Sequence, residues 1–353
     1  MSARPVAVTD PPSAAPAVAH HARTAGAAVA PVKGPLDGGF DERVAALAPI
    51  GLEELDAGEL LTRFDRKRLV EVAALPALLA SLDGDRFRVL EVAGRRVVGY
   101  RNRYFDTAGL QGYHDHLQGR RRRFKIRTRH YGDPAATMLE LKLKGGRGET
   151  VKRRRERPVE LAARHTAASA AGAAAEPDPG TVELAQLGPD HLDVADLDWL
   201  AAELDAAYGL VLPGPLVPVL DNGFERVTLV DPVAGERLTI DRGLTVRLHR
   251  AARAGDPATG GGAHDPATGG GAHDAAAARA GVHDPSSLLA LGRRYAIVEV
   301  KSAREQGPVA RAVAARGTPP VPLSKYCLGV VAAGLGGRGN PWRPALRLLQ
   351  PQG

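Results

Sequence analysis

Five short segments of this chain alternate between ionised and apolar side chains. They are Lys125-Ile126-Arg127-Thr128-Arg129, Leu139-Glu140-Leu141-Lys142-Leu143-Lys144, Arg237-Leu238-Thr239-Ile240-Asp241, Val298-Glu299-Val300-Lys301 and the less regular Arg63-Phe64-Asp65-Arg66-Lys67. Side chains on a strand point to opposite faces with a period of two. Each segment therefore predicts a strand with Lys, Arg and carboxylate on one face and aliphatics on the other. Any one of them could be an ordinary sheet with a solvated outer face. Five together, each rich in cations, favour a charged face that curls inward to line a lumen able to take a polyanion.

The 353 residues can hold one large domain or two ordinary ones, and a hydrophobic content of 44% supports a sizeable core. A formal charge of +7 and a sequence pI near 9.7 point to an anionic partner, without choosing among phosphate, nucleic acid and a membrane surface. The single cysteine, Cys327, excludes an intrachain disulfide framework and a cysteine-based zinc site, and a reducing compartment suits it. The N-terminus shows no basic stretch followed by an apolar run, and no run of about 18 apolar residues occurs. The expectation is a cytoplasmic protein without a membrane span.

Residues 1–45, rich in Ala, Pro, Val and Gly, read as a disordered tail, and residues 46–349 as the folded domain. Helices are expected from Leu52 to Leu61, from Leu69 to Leu82 with Pro76 as a kink or boundary, and from Asp196 to Tyr208 with Asp196 as cap. A further strand is expected at Arg96–Phe105. Gly145-Gly146-Arg147-Gly148-Glu149 reads as a hairpin turn leading to a strand at Val151–Arg154. Two low-complexity segments interrupt the domain. Residues 162–180 are Ala-rich and read either as helix or as linker, and 251–287 contain a duplicated Asp-Pro-Ala-Thr-Gly-Gly-Gly-Ala-His motif, a flexible insertion. His264, His273 and His283 each precede an Asp there, but glycine-rich chain does not pre-position metal ligands.

Taken in order, Thr62-Arg63-Phe64-Asp65-Arg66-Lys67, Arg103-Tyr104-Phe105-Asp106-Thr107, the run Tyr113 to Tyr131, Leu139-Glu140-Leu141-Lys142, Gly145 to Arg154, Arg237 to Asp241, Val298 to Lys301 and Ser324-Lys325-Tyr326 give the chain a family likeness. It resembles the VTC domain, the polyphosphate polymerase module of the CYTH or triphosphate-tunnel superfamily, over roughly residues 49–348. The resemblance implies an α+β fold, an antiparallel β-barrel with a charged central tunnel and helices packed outside. It also implies transfer of the terminal phosphoryl group of ATP to inorganic polyphosphate with Mn2+ or Mg2+. On the same basis Lys67, Lys125, Arg127, Arg129, Lys142, Lys152, Arg226, Arg237, Ser324 and Lys325 are implied to bind phosphate. Catalysis is implied for Lys67, Arg127, Arg129, Lys142, Glu299 and Lys325. Glu299 matches the family's metal-binding glutamate, with Glu140 and Asp65 as further candidates for metal contact or for orienting the cations. Fungal relatives work within membrane complexes, so a membrane partner of this chain would be another polypeptide. Arg68, where the family more often has an aromatic, Phe224, where tyrosine is frequent, and the 251–287 insertion depart from the pattern.

These residue types suit phosphoryl transfer, in which the protein chiefly positions the reacting oxygens and neutralises charge. Arginine forks and lysine point charges can grip successive phosphates without reading a base, and one or two carboxylates suffice to anchor a magnesium or manganese ion among phosphate oxygens. No Walker-type run occurs, and Gly260-Gly261-Gly262 has neither the strand nor the helix a P-loop needs. Arg121 to Arg123 read as a surface patch and Ser324 as a local cap. Three other functions compete with the polymerase. A tunnel triphosphatase would commonly show two or three alternating glutamates ahead of Lys67, where only Asp65 stands. A non-catalytic polyphosphate or inositol phosphate module could dispense with Glu299. A nucleic-acid binder would interleave aromatics for stacking, whereas seven of the ten residues from Arg120 to Arg129 are basic and Phe124 is the lone aromatic, so no nucleic acid is expected.

Overall fold

The charged strands of the sequence sit side by side in one sheet. The computed structural model describes residues 39–56, 64–82, 84, 86–131, 133–145, 150–157, 191–249, 288–302, 307–336 and 341–350. Gly34–Gly353 forms one compact unit, to which all of these belong. The segments 162–180 and 251–287, the turn at 146–149, and Thr62 and Arg63 lie outside the described residues.

Eleven strands are described: β1 (Ala48–Ile50), β2 (Phe64–Glu71), β3 (Arg88–Leu90), β4 (Val98–Thr107), β5 (Phe124–Tyr131), β6 (Asp133–Lys144), β7 (Thr150–Arg157), β8 (Leu216–Asp231), β9 (Glu236–Leu248), β10 (Leu288–Ala290) and β11 (Tyr295–Ser302). The main path runs β2-β11-β9-β8-β4-β5-β6-β7, antiparallel at every step. β10 extends β9, β3 joins β8, and β1 pairs in parallel with β3. Among the described residues no ladder joins β2 to β7, so the sheet curls without closing by hydrogen bonds. The free side of β2 is covered instead by the segment after residue 316. Gly317 bridges to Val70, Thr318 N–H donates to Leu69 O at 2.9 Å, and Val321 N–H to Lys67 O at 3.3 Å.

The helices are α1 (Phe40–Ala46), α2 (Leu52–Asp56), α3 (Leu75–Ala80), α4 (Gln111–Leu117), α5 (Val194–Tyr208), α6 (Pro308–Ala314), α7 (Lys325–Ala332) and α8 (Arg343–Leu349). Two of the apolar clusters lie on the outer face of the curl. Val227, Leu229, Leu238, Ile240, Val298 and Val300 pack against α1, α3 and α6. Ile126, Leu139, Leu141 and Leu143 pack against Leu200 and Leu204 of α5, and each fully buried leucine contributes about 2 kcal/mol. A third cluster fills one end of the inner face, where Leu69, Tyr104, Leu220, Phe224 and Val246 meet Tyr326, Cys327, Leu328 and Val330 of α7. Gly329 permits that contact: a Cβ there would lie 2.8 Å from Leu220 and 3.1 Å from Val246.

Several expectations are revised. A helix, α1, lies within the last residues of the stretch read as tail, with Phe40 and Val44 buried against the outer face. The apolar run from Leu69 is strand up to Glu71, since Leu69 and Val70 pair with Ile297 and Ala296, and the helix begins only at Leu75 with Pro76 in its first turn. The cap of α5 is Asp193, not Asp196. Asp193 accepts from Asp196 N–H at 2.7 Å in a capping box, while buried Asp196 pairs with Arg155 and Arg157.

Candidate functional site

The inner face is set by the period of two. On β5 the outward positions Ile126, Thr128 and His130 leave Lys125, Arg127 and Arg129 inward, and the ladder aligns them with Lys142, Glu140 and Met138 of β6. Across β4 the row continues with Tyr104 beside Arg127 and Asn102 beside Arg129. β8 adds Asn222, Phe224 and Arg226, β9 adds Thr239 and Asp241, and β11 and β2 add Glu299 opposite Lys67.

Two buried arginines are held in different ways. Arg127 donates from Nε and Nη2 to Oε2 of Glu140 at 2.8 and 2.5 Å and from Nη1 to the Tyr104 hydroxyl at 3.0 Å. Glu140 is fully buried, and its Oε1 accepts from Tyr131 at 3.3 Å with Arg129 at 3.8 Å. Burial pushes the Glu140 carboxyl upward, but Arg127, Arg129 and Lys142 outweigh it and hold the group well below the usual range. Both of its oxygens are thus engaged by cations and a hydroxyl. Arg129 donates from Nε to the Asn102 amide oxygen at 2.7 Å and stacks against Tyr100 and Tyr131.

Asp241 organises the next group. It accepts Arg226 in bidentate fashion at 2.5 and 2.8 Å and Lys325 Nζ on the same carboxylate, and these cations outweigh burial and keep it ionised. Phe224 lies under the cations, with Lys325 Nζ 4.2 Å and the Arg226 guanidinium 5.4 Å from its ring centre, and it stacks on Tyr100 at 5.3 Å. The ring therefore serves as a platform, without a hydroxyl to offer. Ser324 caps α7 by accepting from Cys327 N–H at 3.3 Å and also receives Lys125 Nζ at 3.4 Å, which ties α7 to β5.

Glu299 sits where the curl brings distant strands together. Its Oε1 lies 3.3 Å from Lys67 Nζ, and the two side chains keep 14% and 34% exposure. Burial would raise its carboxyl, but Lys67, Lys301, Arg226 and Lys142 bring it down to about 2. Lys142 comes from β6, with four strands between it and β11 along the path, yet Glu299 is felt there too. Arg127 first, then burial and Arg129, lower the Lys142 ammonium well below the ordinary lysine value. Burial brings Lys125 down to about 8, with Lys67, Arg123 and Arg127 adding to the effect, and burial does the same for Lys325, with Arg226 adding to it. Cations facing one another at such range, with one ionised and partly exposed carboxylate among them, form a site short of negative charge.

The donor set fits a divalent ion in one way only. Among the described residues no three His, Cys, Asp or Glu side chains cluster. Glu299, ionised and accessible, could supply a single carboxylate to magnesium or manganese whose other ligands are phosphate oxygens and water. Glu140, with its oxygens engaged, does not offer one. Lys152 lies beside Lys142 on β7 but is exposed, and half-buried Arg237 pairs in register with Lys301 and Val230. Sequence reasoning missed the supports: Tyr100, Asn102 and Tyr104, which alternate on β4, and Tyr131, Asn222 and Asp241. The Tyr-x-Asn-x-Tyr alternation was the available signal. Within Arg103–Thr107, only Tyr104 and Asp106 face inward, and Asp106 accepts from Gly112 and Tyr113 N–H of α4 and from Tyr326. Arg103 points outward to Asp221, 2.8 Å away.

An antiparallel sheet that curls around a cationic, aromatic-braced interior defines the class of protein. The VTC domain profile matches residues 62–333, and the chain belongs to the VTC domain family. No curated protein matches the chain. Among solved structures, a putative adenylyl cyclase from Hippeastrum, described as having a dominant triphosphatase activity, is similar at 14% identity and a TM-score of 0.38, covering 77% of this chain and 96% of that one. No helix among the described residues is long and apolar enough to cross a membrane.

Proposed function

We propose that this protein is a phosphoryl-transfer enzyme acting on polyphosphate chains, moving the terminal phosphoryl group of ATP onto inorganic polyphosphate. One observation carries the reading: the inward rows of separate strands and the start of α7 bring Lys67, Lys125, Arg127, Arg129, Lys142, Arg226 and Lys325 to one face, where the carboxylates beside them are Glu140, Asp241 and Glu299. A linear polyanion supplies the negative charge this interior lacks. Membership of the VTC domain family supports the same reading.

In this reading Arg127 and Arg129 grip bridging and terminal phosphate oxygens with planar donor forks, while Lys142, Lys125 and Lys325 supply point charges along the chain. Glu140 and Asp241 keep the arginine planes fixed, so the donors are oriented before the anion arrives. Glu299 together with the phosphates would hold magnesium or manganese, which would neutralise charge on the transferring group. The terminal oxygen of the acceptor chain displaces ADP, and the chain grows by one phosphate.

Purified protein with ATP and Mn2+ is expected to yield ADP and a polymer that an exopolyphosphatase destroys. ADP with equimolar free phosphate and no polymer would make it a triphosphatase. Tight tripolyphosphate binding with no ATP consumption would make it a binding module.

A further inference from the structure

The inner arginines differ in what holds them. Arg127 is clamped by the Glu140 carboxylate and Arg226 by the Asp241 carboxylate, so much of each charge is already answered. Arg129 is held by a neutral amide: its Nε donates to Asn102 at 2.7 Å, and Glu140 is 3.8 Å from its Nη1. Asn102 in turn donates from Nδ2 to the amide oxygen of Asn222 at 2.8 Å. The three residues stand in register across β5, β4 and β8, and both asparagines are fully buried.

The orientation of both amides follows from the arginine. Arginine nitrogens only donate, so Asn102 must turn its oxygen toward Arg129 and its NH2 toward Asn222. Asn222 then presents its oxygen to Asn102, which leaves its own Nδ2 as a buried donor without a partner among the described residues. A buried donor left unmade is costly, whereas an acceptor supplied by a bound oxyanion or its water would satisfy it.

We propose that Asn102 and Asn222 are positioning residues: a neutral relay that fixes the Arg129 guanidinium plane without cancelling its charge, so that Arg129 is reserved for the phosphate chain. This rests on the polyphosphate reading above. A carboxylate in place of Asn102 would hold the same plane equally well but spend the charge.

The test is tripolyphosphate binding by calorimetry without metal, together with thermal melting. Asn102→Asp keeps the shape and the acceptor. It is expected to leave the melting temperature unchanged or higher while weakening tripolyphosphate by about tenfold and flattening its salt dependence. Asn102→Leu, which lets Arg129 swing, is expected to weaken binding by a similar factor. In an Arg129→Ala background it is expected to weaken it no further. Should Asn102→Leu fail to fold, Asn222→Leu replaces it in the same cycle. Wild-type affinity in Asn102→Asp, or losses that simply add to that of Arg129→Ala, would overturn the proposal. A wild-type protein that does not bind tripolyphosphate would instead remove the functional reading on which it rests.

Discussion

Glu299 and Lys67 face each other across the β11–β2 ladder, Oε1 to Nζ at 3.3 Å, on the inner face of the curl. The pair is partly solvated, so its own contribution to stability is small. Its importance is electrostatic, because Glu299 stays ionised among lysines and arginines.

Glu299→Gln is therefore expected to separate binding from turnover. Removing the carboxylate leaves the cationic surroundings more positive, so metal-free tripolyphosphate should bind as well as to wild type or better. Metal-dependent ATP turnover should fall by about 100-fold or more. Calorimetry and ADP release measured on the same preparation check both halves.

Glu140→Gln should cost stability as well as activity. Arg127 would be left buried beside a neutral amide, and breaking one partner of a buried pair costs about 3–5 kcal/mol. Urea unfolding at neutral pH is the measurement, with an unchanged denaturant slope expected.

Acid should undo the same contacts. Glu140 and Asp241 titrate lower in the folded chain than in the unfolded one, so the unfolded state binds more protons below about pH 4.5. Stability from these groups is fully present above that pH and is lost as the pH falls. The midpoint of urea unfolding should drop between about pH 4.5 and 2, and Asp241→Asn should blunt that drop.

Lys125 and Lys325 bring pH dependence on the alkaline side. Burial lowers both to about 8, so each is partly neutral at that pH in the empty site and becomes charged when an anion binds. Tripolyphosphate binding should take up protons near pH 8 and weaken from pH 7 to 9, by up to about tenfold per lysine per pH unit. Calorimetry in buffers of different ionisation enthalpy reads the uptake, and Lys125→Met should remove part of it.

Gly329→Ala probes the inner packing. The added Cβ would meet Leu220 at 2.8 Å and Val246 at 3.1 Å, and overpacking of this kind costs about 1–3 kcal/mol. Since α7 carries Lys325, weaker tripolyphosphate binding should accompany the lower melting temperature.

The charged faces were legible in the sequence because alternation is a local property. Lys125 to Arg129, Leu139 to Lys144, Arg237 to Asp241 and Val298 to Lys301 all lie in strands with the charges inward. β8 was not legible. Leu216–Asp231 contains Pro218 and Gly223, which argue against a central strand. The fold accommodates them at irregularities, with the ladder to β4 shifting register at Phe105 opposite Pro218, and that to β9 shifting between Gly223 and Glu225. Asp241 stood within a recognised segment, but its pairing with Arg226 depends on the β8–β9 register and its pairing with Lys325 spans 84 residues, so only the folded structure names its partners. The beginning of the sheet was misread for a related reason: Leu69 and Val70 fit a helical stripe until Ile297 and Ala296 recruit them into a ladder.

The stretch from Gly317 to Val321 occupies the backbone groups that β2 would otherwise present along its outer rim. A foreign peptide seeking to add itself there would first have to evict native chain, so this flank is guarded against edge-to-edge aggregation. The same stretch continues directly into Ser324, which means that peeling it away would also unseat the lysine that follows.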